Sequence, residues 1–161
     1  MKKNIDIRRT LPGDRDGILR FSRETGFFRP DEVDVAAEVL DDALAKGPEG
    51  HYQSYAAEAG GAPIGWVCFG PAPCTLGTFD IYWIVVAPAC KGSGVGTALL
   101  AHAERLIVER GGRMAVAETN GRSSYEPTRQ FYLRRGYVEA ARVPDFYGSG
   151  DDKLIYCKRL G

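Results

Sequence analysis

Apolar positions along the chain alternate between two periods. Ile5-Asp6-Ile7 alternates apolar and polar, which predicts a half-buried strand. Between Asp14 and Glu24 the spacing becomes helical, with Ile18 and Leu19 inward, and Thr25-Gly26-Phe27-Phe28 breaks it. Pro30 and Asp31 suit the first turn of a second helix. Its stripe is Val33, Ala37, Leu40 and Leu44, and Gly47-Pro48 ends it. The other face, with Asp34, Glu38, Asp41 and Asp42, reads as solvated surface. Tyr52 to Glu58 and Ile64 to Phe69 flank Gly60-Gly61, a hairpin signal. A loop holding Pro71, Pro73 and Gly77 leads to a strand from Thr78 to Val86. Val95, Leu99, Ala103 and Leu106 give a third helical stripe, which stops at Arg110-Gly111-Gly112. A strand from Met114 to Glu118 and a helix from Pro127 to Arg135 follow. Tyr137 to Val143 and Leu154 to Lys158 form a closing antiparallel pair around the loop PDFYGSGDD. No repeat, low-complexity tract or linker interrupts this order, so it predicts one domain of mixed α/β type over residues 1–161.

Composition narrows the function classes. At 161 residues the chain is long enough for one sizeable core. Lys plus Arg and Asp plus Glu balance at 21 each, so no basic field calls for nucleic acid. No run approaches the ~20 apolar residues of a membrane span. MKKNIDIRRT has charges but no apolar run behind them, unlike a signal peptide, so a cytoplasmic location is expected. Cys68, Cys74, Cys90 and Cys157 lack CxxC spacing and nearby histidines, which reads as reduced thiols and no metal site. His102 lies on an apolar helix face and reads as a packed histidine, and His51 is isolated in sequence.

The chemistry concentrates in VVAPACKGSGVGTALL, residues 85–100. Gly92, Gly94 and Gly96 sit between a strand and a helix, where backbone N–H groups can approach a ligand without a Cβ in the way. The helix N-terminus adds unpaired donors and partial positive charge, so the stretch suits a phosphate or pyrophosphate. It is not the nucleoside-triphosphate loop, because Lys91 precedes the glycines instead of following them. It is not the dinucleotide fingerprint either, since GxGxG here places Thr97 where the last glycine of GxGxxG belongs.

Lys91-Gly92-Ser93-Gly94-Val95-Gly96 resembles the acetyl-CoA loop of the GNAT N-acetyltransferase superfamily, Q/R-x-x-G-x-G/A. A second signature of that family, N-x-x-A-x-x-F-Y before a glycine and an aromatic, is matched from Tyr125 to Tyr132, with Phe131-Tyr132 in place and Gly136-Tyr137 closing the helix. The order of elements agrees over nearly the whole chain. Lys91 replaces the usual Arg or Gln, and Tyr125 and Thr128 stand where Asn and Ala are common. The resemblance implies a central mixed, mostly antiparallel, splayed sheet flanked by helices. It implies acetyl-CoA as co-substrate, with the pyrophosphate on Lys91, Gly92, Ser93, Gly94, Val95, Gly96 and Thr97 and the pantetheine arm along Ile84, Val85 and Val86. A strand N–H near Val85 or Val86 would polarise the thioester carbonyl. Lys91 and Arg129 are candidate phosphate contacts.

Acetyl transfer to an amine raises two proton problems. The acceptor ammonium must first lose a proton, which costs about 4–5 kcal/mol at neutral pH for a lysine-like amine. Asp80, on the strand where histone-acetylating members carry their glutamate, and Glu118, at the end of the next strand, compete as the base. The thiolate must then be stabilised, and the resemblance gives Tyr132 that acid role. A phenol near ~10 protonating a thiolate near ~8.5 runs uphill by about 2 kcal/mol, so a strong hydrogen bond to sulfur describes it better than full transfer. The acceptor is expected between Phe27-Phe28 and the Asp145 to Asp152 loop, with Phe27, Phe28, Phe146 and Tyr147 as aromatic walls and Asp145, Asp151 and Asp152 holding the ammonium. A small-molecule amine (an amino acid or polyamine) fits better than a folded protein, and a homodimer is compatible with the family. The alternatives are a catalytically silent acyl-CoA sensor and a protein N-terminal or lysine acetyltransferase.

Overall fold

The structure is a computed structural model describing residues 4–161; Met1–Lys3, the charged start of the chain, lie outside the described residues. The elements run β1 (Asp6–Arg9), α1 (Arg15–Glu24), α2 (Pro30–Lys46), β2 (Gln53–Ala59), β3 (Ala62–Pro71), β4 (Thr78–Val86), α3 (Val95–Glu109), β5 (Met114–Asn120), α4 (Glu126–Arg134), β6 (Val138–Gly148) and β7 (Asp151–Arg159), with short 3-10 turns before α1, β2, α3 and α4. The 7-stranded sheet has the order β1-β2-β3-β4-β5-β7-β6. β4 and β5 pair in parallel, Thr78–Ile81 against Met114–Ala117. The pairs β1–β2, β2–β3, β5–β7 and β6–β7 are antiparallel. The mixed, mostly antiparallel sheet is as expected.

The chain divides into two compact units, one of residues up to Gly70 with Tyr82–Leu106, the other of Pro71–Ile81 with Ile107–Gly161. In the first unit, α1 and α2 bury Ile18, Leu19, Phe21, Ala36 and Leu40 against Trp66, Cys68 and Val85. Each fully buried Leu or Ile contributes about 1.5–3 kcal/mol relative to exposure. Helix α2 starts where the sequence places it: Pro30 opens it, and the Glu32 carboxylate accepts the Arg29 N–H at 2.8 Å. Its buried stripe is Val33, Ala36, Leu40 and Ala43, with Ala37 and Leu44 packed at the margin. Helix α3 buries Val95, Leu99, Leu100, Ala103 and Ile107. It lies close on β3 because Gly65 has no side chain; a Cβ there would stand 2.8 Å from both Leu99 and Val95. The start of α3, and with it the glycine loop, is thereby fixed against the sheet.

Tyr82 and Trp83 are consecutive in β4, yet both pack on the α1–α2 core. A regular pleat sends consecutive side chains to opposite faces, so the two rings reach this core from different sides of the strand. That position directly follows Ile81, the last β4 residue paired with β5.

In the second unit, β5 and β7 bury Ala115, Ala117, Leu154 and Tyr156, and Tyr132 and Tyr137 are buried from α4 and the turn after it. The closing strands are longer than the sequence pattern predicts. PDFYGSGDD is mostly strand, closed by the pair Gly148↔Asp151. The pattern is hidden because the pairing slips between Val143 and Gly148, where Pro144 donates nothing and Asp145 takes a left-handed φ of 54°. Among the described residues no helix is long and apolar enough to cross a membrane, and no group of three metal-ligating side chains comes together.

Candidate active site

The glycine loop is built by a ladder of tight turns. Cys90 N–H donates to the Ala87 carbonyl at 2.8 Å, Lys91 N–H to Pro88 at 3.2 Å and Ser93 N–H to Cys90 at 3.3 Å. The Ser93 hydroxyl also bonds the Cys90 carbonyl. Gly92 and Gly94 have φ of 76° and 87°, the left-handed region that L side chains rarely enter. Left-handed residues in a turn are the kind of backbone from which anion-binding concavities are built. Lys91 to Gly94 are exposed, and a Cβ built on Gly92 or Gly94 would meet nothing within 4 Å. Conformation, not crowding, therefore requires glycine here. The first ladder bond of α3 is Ala98 N–H to Gly94 at 3.0 Å, so the helix opens directly on the loop.

Beside the loop, Lys91 Nζ sits 4.6 Å from the centroid of the Phe27 ring. Phe28 meets Trp83 edge-on at 5.2 Å and packs on the α1–α2 core. In β4, Val85 is buried, while Ile84 and Val86 are half-buried.

Tyr132 is buried, 4% exposed, among Phe131, Tyr137 and Tyr156, with ring centroids at 5.4, 5.2 and 6.2 Å. Its hydroxyl bonds to no described residue. Burial pushes this phenol above the ordinary tyrosine value, so it stays protonated. Arg129 is also buried. It donates from Nε and Nη2 to Glu126 at 3.2 and 2.6 Å, and from Nη1 to the carbonyls of Asn120 and Arg122 at 2.9 and 2.8 Å. These bonds clamp the turn between β5 and α4, the element that carries Tyr132.

Of the two candidate bases, Asp80 is half-buried in β4, opposite Val116 of β5. Glu118 is exposed and ion-paired with Lys153 at 3.0 Å. The Lys153 ammonium in turn lies 4.3 Å from the Phe146 ring, which itself meets Tyr147 edge-on at 4.9 Å. The carboxylates of the closing hairpin have structural partners. Asp152 accepts the Asp145 N–H and an Arg142 N–H, each at 3.0 Å, and Asp145 accepts the Gly150 N–H at 2.7 Å. The Asp145 amide, with Arg142, holds the Asp152 carboxyl below the usual carboxylate range. Asp151 lies 3.5 Å from Arg122. Sequence reasoning had no signal for these pairs, nor for Trp83, Tyr82 and Lys153 as neighbours of the expected site residues.

The acetyltransferase (GNAT) family matches residues 19–137. The chain belongs to this family. An uncharacterised N-acetyltransferase of Methanocaldococcus jannaschii is 31% identical over 111 residues, and the match spans 65% of this chain and 65% of that curated relative's length. A crystal structure described as a GNAT-family acetyltransferase from Desulfovibrio desulfuricans is 42% identical, with a TM-score of 0.93 over 98% of this chain and 99% of that one. The PaiA N-acetyltransferase of Thermoplasma acidophilum, solved with coenzyme A, shares the fold at 16% identity, with a TM-score of 0.77 over 98% and 99% of the two chains. Acyltransferases of the N-acetyltransferase type make up this GNAT family.

Proposed function

We propose that the protein transfers the acetyl group of acetyl-CoA directly to a primary amine of a small molecule, within a ternary complex. The observation that carries this reading is the loop itself: Gly92 and Gly94 are left-handed, exposed and open around the Cβ position, directly before the first turn of α3. A pyrophosphate satisfies the backbone donors of a helix start and the helix dipole together. Relatives of the same fold that hold coenzyme A support the assignment.

In this reading Lys91 to Thr97 bind the pyrophosphate, and Ile84 to Val86 hold the pantetheine arm. A β4 N–H near Val85 polarises the thioester carbonyl as negative charge develops on its oxygen. Asp80 or Glu118 draws off the ammonium proton. Glu118 already neutralises Lys153, which lessens its fitness as a base. Tyr132, protonated and with its hydroxyl uncommitted, donates a hydrogen bond to the departing sulfur. Phe27, against Lys91, and Phe28 form one wall for the acceptor. Asp145 and Asp152 brace their own hairpin, so they shape the acceptor's surroundings more than they hold its charge.

The test mixes the protein with acetyl-CoA and a panel of polyamines, amino acids, aminoglycosides and lysine peptides, and follows thiol release. Release with small amines and none with peptides is expected. Coenzyme A binding without release for any amine would replace this reading with that of a silent acyl-CoA sensor.

A further inference from the structure

His51 is isolated in sequence, but the fold builds a site for it. Its Nε2 lies 2.8 Å from the Tyr82 hydroxyl, and the two share a hydrogen bond. The imidazole also meets the Tyr52 ring edge-on at 4.9 Å, and Tyr52 meets Tyr82 at 5.2 Å. Gly70 makes room for it: a Cβ there would fall 2.6 Å from the His51 carbonyl and 3.1 Å from Nε2. The turn that carries His51 is pinned by buried Gln53, whose amide donates to the carbonyls of Pro48 and Gly50 at 3.1 and 2.8 Å. His51 and Tyr82 are both half-buried.

Tyr82 stands on β4, three residues before Val85, ~10 Å along the strand. That strand is the one the proposed function gives to the thioester. We propose that Tyr82 and His51 form the proton relay that deprotonates the acceptor amine. The inference rests on the acetyl-transfer reading and adds a base that sequence reasoning did not consider. Imidazole is suited to the task because it takes and returns protons near neutral pH.

The steps balance. The acceptor ammonium gives a proton to the Tyr82 oxygen as the Tyr82 proton moves to His51 Nε2, leaving a neutral amine and an imidazolium. The amine lone pair forms the C–N bond, and the C–S bond breaks with its electron pair on sulfur. The nitrogen sheds its surplus proton, the thiolate takes one up to give free CoA, and the imidazolium releases its proton to solvent. The groups in contact with His51 are Tyr52, directly before β2, and Tyr82 on β4; nearby in sequence, Lys46 at the end of α2 is paired with Asp42 at 2.7 Å. Lys46 also acts electrostatically on Tyr52.

The test uses His51→Gln and Tyr82→Phe, which keep the packing, with thermal unfolding as the check on the fold. Acceptors are spermidine, L-lysine and tyramine, compared with trifluoroethylamine, whose ammonium is already largely neutral at pH 7. For the best of the basic amines, kcat/KM should fall by about 100-fold in either variant, with the acetyl-CoA KM unchanged. Trifluoroethylamine should show little loss, and the double variant should be no worse than either single one, because both act on one path. Undiminished turnover in His51→Gln, or equal losses for basic and weakly basic amines, would overturn the relay alone. A wild-type protein that releases no thiol with these amines or with the wider panel of polyamines, amino acids, aminoglycosides and lysine peptides would overturn the acetyl-transfer reading, and the relay with it.

Discussion

A single hydroxyl separates packing from chemistry at Tyr132. Its ring is held by Phe131, Tyr137 and Tyr156, while its oxygen bonds to no described residue. Tyr132→Phe should therefore leave the core intact, because the ring contacts that pack it are kept. Turnover should fall on the order of 10- to 1000-fold while coenzyme A affinity holds, since the hydroxyl matters as charge reaches sulfur. Steady-state kinetics beside a thermal melt decide it: wild-type turnover would return Tyr132 to a packing role. Tyr132 was legible in the sequence because it sits in a short contiguous motif. Arg129 was legible only as a charge. The carbonyls of Asn120 and Arg122 that take up its donors come within reach only once the chain turns from β5 into α4. The same holds for Asp145 and Asp152, whose partners are backbone amides and Arg142 across a hairpin.

At the scale of elements, the junction of β4 and α3 is where local sequence dictates most. Gly94 has φ of 87° and nothing within 4 Å of an added Cβ, so Gly94→Val acts through backbone conformation and through the space a pyrophosphate would fill. Holding a β-branched residue in that region costs about 1–3 kcal/mol, and the loop relaxes away from this turn instead. Coenzyme A affinity by calorimetry should fall at least tenfold, a loss of about 1.4 kcal/mol, with the helical circular dichroism signal retained. Unchanged affinity in a folded variant would end the phosphate-loop assignment. The helices were legible because their stripes repeat with one period: Val33 and Leu40 in α2, and Val95, Leu99 and Ala103 in α3, are buried as their spacing requires. The ends of β6 and β7 were not, because ladder pairing carries the chain past Pro144 and Asp145, where residue preference argues against a strand. Long-range pairing won over local propensity.

For the molecule as a whole, buried titratable groups set the pH range of stability. Burial pushes the Asp14 carboxyl up, but hydrogen bonds from Arg8 and from the Leu11 N–H, with the Arg8 charge, outweigh it and hold it below the ordinary value. A carboxyl lowered in the folded state contributes stability above its unfolded value and loses it as pH falls through the folded one. With unfolded Asp near ~3.9, an acid limb should open below about pH 4. Cys68 and Tyr132 lie on the other side, both raised by burial. Their contribution is complete below the unfolded values and shrinks as pH rises, because the unfolded chain then releases protons that the folded chain keeps. The alkaline limb should begin above about pH 8.5 with the thiol and steepen above about 10 with the phenol. Urea unfolding from pH 3 to 11 should accordingly give a plateau between these limbs. In Tyr132→Phe the fall above pH 10 should be shallower while the acid limb stays in place. An alkaline limb unchanged by that substitution would mean that the Tyr132 phenol is not held protonated by burial, and the case for it as the hydrogen-bond donor to sulfur would lose its physical basis.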